Sequence, residues 1–106
     1  MHLSELSARA LEIRQKYDEA NQVAGRPIWQ TSDFAQAFAG DVGQLLRLLM
    51  MKRNLRAAPE DIDEKLEHEL CDCLWATLVI ADKLGVKLEE AFPKVMADLA
   101  ARIAHK

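Results

Sequence analysis

ELCDCLWATLVIADKLG, residues 69–85, decides the fold class. Its apolar residues do not alternate as those of a half-buried strand would. Leu70, Leu74, Trp75, Leu78, Val79 and Ile80 recur at helical spacing and spread nearly all round the axis. Gly85, following Lys83, supplies a glycine stop and a cation at the negative end of the helix. Upstream, Pro59 with Glu60, Asp61 and Asp63 after it suits a helix start, with proline early and acids at the positive end. A helix apolar on most sides has to be covered on several, by its own domain and by a partner subunit.

Working outward, three more helices emerge. Leu3, Leu6, Ala10, Ile13, Tyr17 and Ala20 form one apolar stripe on a first helix, which Gly25 and Pro27 end. Thr31, Ser32 and Asp33 are candidate N-caps for a second, with Gln36 placed after Asp33 as in a capping box. That helix carries Phe34, Ala37, Phe38, Leu45, Leu48 and Leu49, and fades around Lys52 to Asn54. The stretch from Asn54 to Pro59 reads as a connection. Phe92, Val95, Met96, Leu99 and Ile103 mark a fourth helix, predicted to start around Pro93, where proline forfeits no interior hydrogen bond. With no strand pattern, repeat or low-complexity tract, residues 1–106 read as a single all-α domain of four helices.

The chain has 106 residues, half of them hydrophobic and 29% charged, the balance of an ordinary globular domain. A net charge of −3 gives no electrostatic case for nucleic acid. The longest uncharged run in the second half, Cys73 to Ala81, falls short of the roughly 20 apolar residues of a membrane span. The start, Met-His-Leu-Ser-Glu, lacks the basic and apolar regions of a secretion signal. A soluble, cytoplasmic protein with no membrane or nucleic-acid partner is the expectation. Cys71 and Cys73 point about 200° apart on a helix, and no second Cys/His pair stands at a metal-binding spacing, so both are expected to be buried apolar thiols.

Two polar pairs interrupt apolar stripes. Asp41 and Gln44 lie one turn apart, in line with Phe34, Ala37 and Leu48. Glu69 and Asp72 repeat the spacing beside Leu66, Cys73 and Ala76. Acids on helices usually face water, and one such pair means little. Two pairs on core-directed stripes imply converging carboxylates, which need a compensating cation. Oxygen ligands of this kind suit Mg²⁺ or Mn²⁺ rather than zinc.

Gly40-Asp41-Val42-Gly43-Gln44-Leu45, followed by Glu69-Leu70-Cys71-Asp72-Cys73-Leu74-Trp75, resembles the MazG-like all-α nucleoside triphosphate pyrophosphohydrolases. Their signature is Glu-x-x-Glu and then Glu-x-x-Asp, and the likeness continues through Ala81 to Ala91, spanning roughly Phe34 to Met96. The resemblance implies a four-helix bundle of the MazG-like type, completed by dimerisation. It also implies Mg²⁺ held by Asp41, Gln44, Glu69 and Asp72, with Mn²⁺ as a possible substitute. In such a site a metal-activated water cleaves a (deoxy)nucleoside triphosphate between its α and β phosphates, releasing a monophosphate and pyrophosphate. Glu69 and Asp72, which match the pattern unaltered, carry the expected catalytic role. One carboxylate can serve instead as the base that orients the water. Asp41 reaches about one methylene less far than the family's first Glu. Gln44 puts a neutral amide where the family has a carboxylate. The alternative reading is a catalytically weakened relative that serves as a nucleotide-binding or helical interaction module.

Other residues are candidates for the nucleotide. Trp29 can stack on a base, or simply cover the core. Lys52, Arg53, Arg56 and Lys65 can meet phosphates, or form a solvated basic cluster at a helix end. On the fourth helix, where many family members carry Lys and Asn, the stretch Ala97-Asp98-Leu99-Ala100-Ala101-Arg102 offers only Arg102 for phosphate. His68 is turned about 100° from the metal stripe and reads as a surface or interface residue, while His2 and His105 lie at the ends. The apolar girdle of the third helix calls for a homodimer or a dimer of dimers.

Overall fold

A computed structural model describes residues 2–54 and 58–104 of the chain. Within them the regular elements are four helices: α1 (Leu3–Val23), α2 (Thr31–Asn54), α3 (Ile62–Lys83) and α4 (Leu88–Ala104). The expected all-α class and the count of four are both observed. No helix of the described residues is long and apolar enough to cross a membrane. Leu55, Arg56 and Ala57 in the predicted connection, and His105, lie outside the described residues.

Local chemistry sets the helix ends. Gly25 and Gly85 both adopt φ 71°, a left-handed conformation that costs other residues energy. At the end of α3 the Val86 N–H reaches the Ala81 carbonyl at 2.8 Å and the Gly85 N–H reaches that of Asp82 at 3.1 Å, satisfying two carbonyls that the helix would otherwise orphan. The start of α2 differs from expectation. Thr31, Ser32 and Asp33 lie inside its first turn, and Asp33 Oδ2 accepts the Gln30 N–H at 2.8 Å. Asp33 is therefore the acid that reaches back to a cap at Gln30, not the cap itself. The start of α4 also differs, since the helix begins at Leu88 and takes Pro93 inside it. The bond that proline cannot donate would have gone to the Glu89 carbonyl. Glu89 is exposed, so water can satisfy that carbonyl and the helix continues.

α2 and α3 form an antiparallel pair that is the main packing unit. Lys52 near the end of α2 pairs with Asp63 near the start of α3. At the other end, Lys83 Nζ sits 5.5 Å from the centre of the Phe34 ring, a cation–π contact. Phe34, Leu48, Leu66, Ala76 and Val79 are buried between them. α1 packs on α3, held by a 3.1 Å hydrogen bond from Trp75 Nε1 to the Ala10 carbonyl. α4 rests against α1 and buries none of its residues. The cysteines do not match the expectation of two buried thiols: Cys71 is exposed and Cys73 half-buried. Cys71 stands next to Leu70 on a side of α3 that no other described helix covers, and Leu70 is likewise exposed.

Candidate metal centre

Asp41 comes from α2, and Glu69 and Asp72 from successive turns of α3. Because the two helices run antiparallel with these stripes facing, the three residues each offer a carboxylate oxygen within 4.8 Å of the others. All three side chains are half-buried. Three ionised carboxylates so close repel one another strongly in a partly dry setting. Among the described residues no Lys or Arg pairs with any of them. Asp72 Oδ2 has only His68 Nε2, at 3.1 Å. His68 is exposed, as a surface residue should be, yet it meets the cluster from which its helical angle appeared to exclude it. Glu69 Oε2 is buried and has no hydrogen-bond partner. An orphaned carboxylate oxygen among other carboxylates is the arrangement a hard divalent cation satisfies, so the donor set fits Mg²⁺ or Mn²⁺.

The electrostatics point the same way. Burial first, and the neighbouring Asp72 second, push the Asp41 carboxyl above its usual range, with His68 opposing. Burial, then Asp41, Glu69 and Asp72, push the Cys73 thiol up, so this cysteine is a poor nucleophile. A carboxyl raised by folding adds stability below its unfolded pKa, and that contribution is lost as pH rises through the folded value. Asp41→Asn keeps the neutral form at every pH. In EDTA at pH 7–8 this variant is expected to melt roughly 2–5 °C above the parent, and the gap should close below about pH 4. Thermal melts across pH check this, and equal melting temperatures at pH 8 would contradict it.

Gln44 is on the same helix as Asp41, but its Oε1 accepts a 3.0 Å hydrogen bond from Arg47 Nε. It lines a shallow groove together with Lys65, His68 and Glu69. Lys65 also pairs with Asp61 at 3.8 Å. Lys52 is engaged by Asp63, and Arg102 lies in the last turn of α4.

Trp29 lines a larger cavity of about 780 Å³ walled by α1, the loop before α2, α2 itself and α3, with Asp41 and Asp72 at its wall. Its indole meets Phe34 edge-on at 5.3 Å. Phe34 meets Trp75 at 5.6 Å, and Trp75 meets Tyr17 at 5.8 Å. These four aromatic rings form a run, and all of them line the same space as Asp41 and Asp72, a space of ligand size. Sequence reasoning missed Tyr17, Asp18, Asn21 and Trp75 as lining residues. One signal was available: Trp75 follows Asp72 by three residues and so shares its face. For α1 there was none, because its rotation about its own axis relative to α3 is a tertiary property. Comparison with protein-family models, curated proteins and solved structures finds no match to this chain.

Proposed function

We propose that this protein is a Mg²⁺-dependent nucleotide pyrophosphohydrolase of the MazG-like type, hydrolysing a nucleoside triphosphate between its α and β phosphates. The observation that carries the reading is the buried, unpartnered Glu69 Oε2 within the Asp41, Glu69 and Asp72 cluster, two of whose members, Asp41 and Asp72, line an aromatic-walled cavity. Mg²⁺ bound by these three carboxylates supplies compensation for phosphate charge and a lowered pKa for water. Asp41 and Asp72 lie at the junction of cluster and cavity, where they set the triphosphate's position relative to the base. Trp29 and Trp75 provide apolar faces for that base. His68 Nε2, 3.1 Å from Asp72 Oδ2, steadies that carboxylate. No covalent nucleophile is needed, in keeping with the raised Cys73 thiol.

Purified protein incubated with a panel of nucleoside triphosphates and Mg²⁺ or Mn²⁺ is expected to release pyrophosphate, and to stop on addition of EDTA. No release from any nucleotide at high protein concentration overturns the enzymatic reading. The neutral Gln44, already engaged by Arg47, favours the second reading, a weakened relative that binds nucleotide. Activity found only in the Asp41→Glu/Gln44→Glu variant would select it.

The functional unit is proposed to be a homodimer or a dimer of dimers. The radius of gyration is 17.0 Å, against about 13 Å for a compact chain of this length. Leu46 and Met50 on α2, Leu70 and Leu74 on α3, and the whole apolar row of α4 are exposed. A second copy would cover them.

A further inference from the structure

The cavity also carries polar side chains that are not part of the metal cluster, on α1. Asp18 and Asn21 stand one turn apart there and both line the space beside Tyr17. Asp18 is half-buried, with a side chain 23% exposed, and its charged partner is Arg14, whose Nε lies 3.6 Å from Oδ2. That separation is an ion pair but too long for a hydrogen bond, and Arg14 Nε has no hydrogen-bond partner. No described residue donates a hydrogen bond to Asp18 or bonds the Asn21 amide.

Two of the neighbouring polar groups are already engaged. Asp33 Oδ2 accepts from the Gln30 N–H, and Trp75 Nε1 donates to the Ala10 carbonyl. Arg26 lines the cavity from the exposed loop. What α1 itself presents is therefore a carboxylate, which only accepts, beside an amide, which both donates and accepts.

We infer that Asp18 and Asn21 read the edge of the base and select one that carries an exocyclic amino group. This rests on the nucleotide reading of the same cavity. The amino N–H donates to Asp18, and the adjacent ring nitrogen accepts from the Asn21 amide. Cytosine and adenine both present that donor and acceptor side by side. Held in that same pose, uracil and hypoxanthine present a carbonyl to Asp18 and a ring N–H to Asn21 instead, which sets oxygen against carboxylate. A site built to pair a substrate's polar group discriminates sharply against the analogue that lacks it.

The test measures binding of CMP against UMP, and AMP against IMP, by quenching of Trp29 and Trp75 fluorescence in the presence of Mn²⁺. The unaltered protein is expected to bind the amino member of each pair at least about tenfold more tightly. In Asp18→Asn, whose amide can donate to a carbonyl, the ratio should fall towards unity or invert. Equal affinities in the unaltered protein, or a preference that persists in Asp18→Asn, overturns the inference. The measurement on the unaltered protein stands even if the variant fails to fold. If nucleotides bind and are hydrolysed without amino selectivity, only this inference fails. If no monophosphate or triphosphate binds at all, the nucleotide reading fails first and takes this one with it.

Discussion

Glu69→Gln is expected to reduce metal-dependent pyrophosphate release by on the order of 10³-fold, the scale on which removal of one well-placed charge-stabilising group acts. Glu69 is the cluster member whose Oε2 is buried with no partner. The substitution keeps the side chain's shape but removes a negative charge and can place an amide N–H where a cation would sit. Its effect on stability runs the other way. Without metal, three carboxylates within 4.8 Å repel one another, and removing one relieves that repulsion. The variant in EDTA should therefore melt at or above the parent temperature, while the parent alone should gain on addition of Mn²⁺. At a metal concentration about 100 times the Kd, that gain is about 2.7 kcal/mol, or roughly 10 °C or more for a domain of this size. Activity within tenfold of the parent, or an undiminished response to Mn²⁺, would remove Glu69 from the metal centre.

The second large effect concerns assembly. Val95→Glu/Leu99→Glu is expected to turn an oligomer into a monomer that melts at least 10 °C lower and binds a hydrophobic dye. Phe92, Val95, Met96, Leu99 and Ile103 are 56%, 50%, 39%, 43% and 72% exposed, and they recur along one face of α4. A helix with no buried residue has little to hold it in place within a single chain, because isolated helices of this length are marginal in water. Burying such side chains contributes about 1.5–3 kcal/mol each when complete, so covering the row decides whether α4 is stably folded. Two glutamates in its centre would have to be desolvated without partners. Sedimentation of the parent and the variant checks the outcome. A parent chain that sediments at its monomer mass of 12.0 kDa at micromolar concentration would rule this association out.

The helices were legible because their causes are local. The 3.6-residue apolar period, the left-handed glycine at position 85 and the acids after Pro59 each act within a few residues, and the structure has a helix or a helix end at each. Where local reasoning slipped, the competing cause was also local but finer. Asp33 can cap a helix or reach back from its first turn, and both satisfy an N–H. Pro93 is excluded from a helix interior only where the bereft carbonyl is cut off from water. His68 shows a different limit: its helical angle sets it off the metal stripe, yet a long, exposed imidazole can still swing to meet Asp72.

The cluster itself was half legible. Residue spacing alone put Glu69 and Asp72 on one face of α3, and Asp41 on an inward stripe of α2. Spacing within a helix does not say how two helices are rotated and slid against each other. That was decided by the antiparallel packing of α2 on α3, with Phe34, Leu48 and Val79 filling the space between them, and it brought the third carboxylate to the other two. The same limit applies more strongly to α1. Nothing local marks Asp18 and Asn21; the Trp75 indole, bonded to the Ala10 carbonyl across 65 positions of sequence, sets α1 against α3 and so brings them to the cavity. The sequence by itself determined which residues share a helix face, since backbone geometry repeats every turn. Only the tertiary structure decided which faces meet, since that depends on how side chains distant in the chain pack together.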